Sequence, residues 1–257
     1  MAEKDLVRKA CLKRGVRPES IVTKLSEKVE GARRANKSKG LRGAVYCGCV
    51  WRGQSKGEIP YRDDSLPFFV SKGKGAIGNA LSPFNVKAPA GMIKRWATED
   101  GTAGGKLLPT DQPLELVWQA AKVAEGEPWP KYFQRRARIF RAGIPKRRYL
   151  DRDAKIAGSC FGLKHELVQY VPSRAFYCHA YEKAVSETQE FRLLEDLVQE
   201  GFNLLLLGPD GHPLPQNTKA ISEAYQDGKL QFGHERVLVA MLRQDRPWTR
   251  EPCCWLE

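Results

Sequence analysis

No apolar run in the sequence comes near the roughly 20 residues that a bilayer-spanning helix requires, so a helical membrane protein is not expected. The first residues, Met1 to Leu6, carry no apolar signal core, and the reading is therefore of a cytoplasmic or nuclear protein that is not secreted. Cysteine is scarce and odd in number at seven, which argues against a disulfide framework. Cys47, Cys49, Cys160, Cys178 beside His179, Cys253 and Cys254 lack the spaced pairs of a zinc site. No metal is expected, and these cysteines read as small core residues. Internal repeats are absent too. The 42% apolar and 28% charged content of the 257 residues is a globular balance, enough to bury a core without covalent staples.

What the sequence does have is clustered positive charge. The net charge of +13 is concentrated in two segments: residues 1–57 hold 15 basic against 5 acidic residues, and residues 131–155 hold 10 against 2. The remainder is slightly acidic. Clustered Lys and Arg gain affinity for polyphosphate by releasing condensed counterions, so the expected partner is nucleic acid, DNA or RNA, or a nucleotide, and not a membrane. The contacts are assigned to Arg33, Arg34, Lys37 and Lys39 in the first segment and to Arg135, Arg136, Arg138, Arg141, Lys146, Arg147 and Arg148 in the second. In residues 132–141, Phe133, Ala137 and Phe140 are expected on one packed helical face, with the arginines on the phosphate-facing side.

Residues 1–42 read as a basic N-terminal arm, helical or loose, with little to bury; residues 43–257 read as a single compact α/β domain with a central sheet flanked by helices. Strands are expected at 43–50, 66–70 and 203–207. Helices are expected from Asp111 to about Ala124, from Pro130 to Arg141 with Gly143 as the stop, and near 173–185, 188–200, 218–226 and 235–244, with Gly201 as a cap.

Gly73, Gly75 and Gly78 match a dinucleotide-binding spacing, but Pro83 and Pro89 exclude the long helix such a site needs. What remains is a glycine-rich loop able to form an anion nest, continuing into Asn79 and Ser82, which either line a pocket or turn a corner. Asp210 follows the apolar strand Leu204–Leu207 in a turn, where α/β sheets bind ligands; it is either an acid/base group or a turn former. His234 and Glu235 open an apolar helix, whose dipole favours the neutral imidazole. Tyr177 and Tyr181 share a helical face and either stack on a base or pack in the core.

The order of motifs resembles an uncharacterised α/β family associated with phages and large DNA viruses. It runs from Gly78-Asn79 and Ser82-Pro83-Phe84 through Leu116, Trp118, Gln119, Lys122 and Val123 to Tyr177 and Tyr181. Gly201, Asn203, Asp210-Gly211 and Phe232-Gly233-His234 with Val237-Leu238 complete it, over about residues 65–244. That family has no established activity; the resemblance implies a unified domain and adds Trp118 and Gln119 to the site residues. The functional expectation is an enzyme directed at nucleic acid or a nucleotide, with glycosidic or group-transfer chemistry at a nucleoside. Asp210, His234 and Glu235 would be catalytic, and Asn79, Ser82, Trp118, Gln119, Tyr177 and Tyr181 would bind substrate. The alternative is a non-enzymatic DNA- or RNA-binding module with a packaging or regulatory role. No cofactor is named by the sequence.

Overall fold

The computed structural model describes residues 3–50, 62–89, 112–146, 148–151, 153–161, 167–209, 213–216, 219–229 and 232–250. It is an α/β protein, as expected. The chain divides into two compact units. The first comprises residues 1–82, 185–224 and 230–246; the second comprises 83–184, 225–229 and 247–257. The α/β body expected from residue 43 onward is thus shared between two units, and the basic segment before it belongs to the first.

The first unit is built on a parallel sheet of β1 (Val45–Cys49), β2 (Leu66–Phe69) and β6 (Leu204–Gly208), in the order β1-β6-β2. Every residue of β6 is buried, which is why its sequence is a continuous apolar run and not an alternating one. Val45 and Leu66 both stand opposite Leu204, so the three strands begin level. One side chain organises that start. Asn203 accepts from the Ala44 amide and from the Asn36 side chain, each at 2.9 Å, and donates to Asp64 Oδ2 at 3.4 Å.

Residues 3–38 are neither loose nor free of core. They form α1 (Glu3–Lys13), α2 (Glu19–Val22) and α3 (Glu27–Ser38), and Val7, Cys11, Ile21 and Val29 are fully buried. Helix α1 packs on α8 (Gln189–Gln199), to which Arg14 is tied by two bonds to Asp196, at 2.8 and 3.1 Å. Arg33 lies 3.5 Å and Lys37 3.6 Å from Glu200, so part of the segment's positive charge is spent on the protein's own acids. Helix α4 (Gly75–Leu81) follows β2 and packs on it, while α10 (His234–Arg243) packs on β1 and β6.

The second unit holds a small antiparallel sheet of β3 (Lys122–Ala124), β4 (Ile156–Ser159) and β5 (Val168–Gln169), which the sequence pattern did not announce. These strands are short and Gly158 interrupts any alternation. Around the sheet lie α5 (Leu114–Ala121), buried along its whole length, α6 (Trp129–Ala142) and α7 (Tyr170–Val185). Helix α9 (Ala220–Gln226) begins in the first unit and ends in the second, and a 3₁₀ turn, Pro247–Arg250, completes the described chain. The expected stops hold: Gly143 and Gly201 follow α6 and α8 with φ of +61° and +87°, conformations that cost glycine little. No described helix is long and apolar enough to cross a membrane.

Candidate functional site

The carboxyl ends of the three parallel strands gather the chemistry of the first unit. Glu235, the second residue of α10, is fully buried, and its carboxylate lies directly against the Gly208 backbone at the end of the central strand. A β-carbon at residue 208 would overlap that carboxylate, so glycine is what admits it. Beside it, His234 is 8% exposed; its Nε2–H donates to the Val70 carbonyl at 2.9 Å, just past the end of β2. The other ring nitrogen, Nδ1, lies 3.2 Å from Glu235 Oε2. The ring is thus held through Nε2 by the Val70 carbonyl, with Nδ1 facing the Glu235 carboxylate.

The loop after β2 reaches the same edge. Gly78 sets α4 so close to β2 that a β-carbon there would press on the carbonyls of Phe69 and Ser71. Asn79 Oδ1 accepts from the Gly73 amide at 2.7 Å and closes the glycine-rich loop. Residues 75–81, expected as part of a glycine-rich loop, instead form the short helix α4, which ends at Leu81 just ahead of Pro83. The Asn79 loop and the start of α10 therefore both meet the backbone of residues 69–71, the former through Gly78 and the latter through His234. Asp210, expected to complete this edge, lies outside the described residues, as does Arg147. On β1, the Cys49 thiol donates to the Pro209 carbonyl at 3.1 Å. Cys47 is buried, and burial pushes its thiol pKa far up, so it is inert core as read. Cys160 and Cys178 are likewise buried, and Cys253 and Cys254 lie outside the described residues.

In the second unit the structure brings together three of the residues expected to bind substrate. The Trp118 ring is 5.1 Å from that of Tyr177, which lies 6.1 Å from Tyr181 and nearly parallel to it. All three are buried, and Phe161 stacks on Trp118 at 6.2 Å, so the rings pack on one another as core. Gln119 donates to Glu115 Oε1 at 2.7 Å. Glu115 is a buried carboxylate that the motif reading passed over, although an acid and an amide four residues apart inside an otherwise apolar helix were visible in the sequence. Burial, and then the charge of Glu115, raise the pKa of Tyr149.

Two arginines assigned to phosphate face inward instead. The buried stripe of α6 is Tyr132, Arg135, Arg136, Ile139 and Phe140, while Ala137, expected inside, is exposed. Arg135 donates to both carboxylate oxygens of Glu127 at 2.8 Å and to the Lys122 carbonyl at 2.6 Å, which pays for its burial. Burial opposes ionisation of Glu127, but the bonds from Arg135 and the Ala124 amide outweigh it and hold the pKa below the usual carboxylate value. The Arg136 guanidinium lies over the rings of Tyr132 and Phe133, at 5.6 and 5.0 Å. Arg148 is exposed, yet its Nε and Nη2 donate to the carbonyls of Leu150, Asp151 and Ala154. Arg33 is also largely enclosed, with its side chain 12% exposed, near Glu3 and Glu200. Arg34, Lys37, Lys39, Arg138, Arg141 and Lys146 face solvent.

Comparison of the chain with protein-family models, curated proteins and solved structures finds no match. The resemblance to a family of phages and large DNA viruses therefore rests on the motifs alone.

Proposed function

We propose that this protein is an enzyme acting on a nucleotide or nucleic acid, with glycosidic or group-transfer chemistry at a nucleoside, and that Glu235 is its general acid/base. The observation that carries this reading is the Glu235 carboxylate held against Gly208 at the carboxyl end of a parallel strand, beside the immobilised ring of His234. Burying a carboxylate is costly, and open parallel sheets place their ligands at this edge. In hydrolysis, the carboxylate takes the proton of a water whose oxygen bonds to the sugar C1′. The bond from C1′ to the base nitrogen breaks with its electron pair leaving on the base, which takes a proton from the second acid; in group transfer another hydroxyl replaces water. Asp210 is the second acid of the proposal, and Asn79 holds the neighbouring loop in shape. Glu235 is fully enclosed in this structure, so substrate reaches it only after its covering is displaced.

Incubating the protein with nucleosides, nucleotides, dinucleotides and oligonucleotides, followed by mass spectrometry, tests the reading. Turnover that Glu235→Gln abolishes in a folded protein supports it. No turnover of any nucleoside-containing compound transfers the assignment to the non-enzymatic nucleic-acid-binding module, which the solvent-facing cations of α6 favour.

A further inference from the structure

Helix α6 sorts its arginines. On a helix of about 100° per residue, the buried positions 132, 135, 136, 139 and 140 centre on one side, and Arg138 and Arg141 fall on the other. Beyond the Gly143 cap, Lys146 continues the exposed series, its ammonium 5.8 Å from the Tyr149 ring. Arg138, Arg141 and Lys146 make no ion pair among the described residues. No acidic residue occurs between Glu127 and Asp151, and Glu127 is committed to Arg135.

We infer that Arg138, Arg141 and Lys146 form a track for the phosphate backbone of a polynucleotide on the second unit. A generic solvated surface intersperses both signs of charge, whereas here no acid occurs in the sequence from 128 to 150 and the three cations make no ion pair among the described residues; the inward arginine, clamped by Glu127, fixes the helix that presents the outward ones. Arginine suits phosphate because its planar fork pairs two oxygens at once. The apolar stripe of α6 is buried inside its own unit, so the helix has no apolar face to lay into a bilayer. The roughly 4.5 Å of axial rise from Arg138 to Arg141 spaces two charges along the helix, and Lys146 adds a third exposed charge three residues past the Gly143 cap, so more than one phosphate of a repeating polyanion can be met. The inference rests on the nucleic-acid part of the proposed function and is independent of Glu235.

The test is fluorescence anisotropy of labelled single-stranded and duplex oligonucleotides across a salt series, with three proteins matched for folding by circular dichroism. These are the wild type, the triple variant Arg138→Gln/Arg141→Gln/Lys146→Gln, and a charge-matched control, Lys4→Gln/Lys9→Gln/Arg17→Gln, on exposed residues of the first unit. The expected result is that the first triple weakens binding at least about tenfold at physiological salt. It should also flatten the log-log salt slope by up to about 0.9 per lost duplex contact, or about 0.7 per single-strand contact, while the control keeps the wild-type slope. Equal flattening in both triples overturns the track and leaves only net-charge attraction. So does a wild type that binds neither oligonucleotide, or that binds phosphatidylserine vesicles instead. Failure of the track leaves turnover of free nucleotides by the wild type unaffected, and loss of turnover in Glu235→Gln leaves oligonucleotide binding intact, so the two proposals fail separately.

Discussion

Asn203 Oδ1 and the Ala44 amide meet at 2.9 Å, where β1 begins beside β6. The same oxygen takes a bond from Asn36 on α3, and the amide nitrogen reaches Asp64, just ahead of β2. One side chain therefore joins a helix and the starts of three strands. Asn203→Ala leaves the Ala44 amide and the Asn36 side chain short of an acceptor, at a cost of about 1–3 kcal/mol. Urea unfolding should show a lower midpoint with an unchanged slope.

Removing residues 1–40 strips Val7, Cys11, Ile21 and Val29 from the core of the first unit and breaks the Arg14–Asp196 pair. The truncated protein should lose cooperative thermal unfolding. A midpoint within a few degrees of the full chain would show that these helices are the dispensable arm that their composition suggests.

Breaking the buried Arg135–Glu127 pair from one side should be severe. Glu127→Gln leaves a guanidinium that is only 11% exposed without its carboxylate, at a cost of about 3–5 kcal/mol. Arg138→Gln, three residues along on the solvent side, should leave the thermal midpoint within about a degree. Similar effects from the two would contradict the inward and outward assignment.

Acid should weaken the fold through three carboxylates. Asp196 bonded by Arg14, Asp64 bonded by Arg62, and Glu127 despite its burial all have pKa values lowered in the folded state. Each contributes stability that is fully present above its unfolded value, about pH 4, and that disappears as pH falls through the folded value. Denaturant midpoints should hold steady from neutrality to about pH 5 and fall below it, and Asp196→Asn should blunt the fall.

Much of the secondary structure was legible. The four leucines of β6 and the stops at Gly143 and Gly201 are local signals and were read correctly, whereas α4 was missed because its glycines read as loop. The burial of the first three helices was missed because their buried residues are isolated among lysines and arginines, and the acid that neutralises Arg14 lies 182 residues away. Helix α6 was rotated in the sequence reading for a related reason. An aromatic stripe through Phe133, Ala137 and Phe140 looked apolar, whereas the partners that let Arg135 turn inward, Glu127 and the Lys122 carbonyl, belong to the preceding segment. At the candidate site, His234 and Glu235 stood out by their place at a helix start. Their contacts with Val70 and Gly208 are tertiary, and no pattern in the sequence encodes them.

The central claim is that the Glu235 carboxylate does acid/base work at a nucleoside. The most direct measurement is kcat/KM for base release or transfer, by mass spectrometry, for the wild type and for Glu235→Gln at equal folded fraction. The account predicts turnover by the wild type and a loss of about 10² to 10⁴ in the variant, the usual contribution of a positioned acid/base. A Glu235→Gln protein that turns over the same nucleoside substrate at the wild-type rate would contradict it.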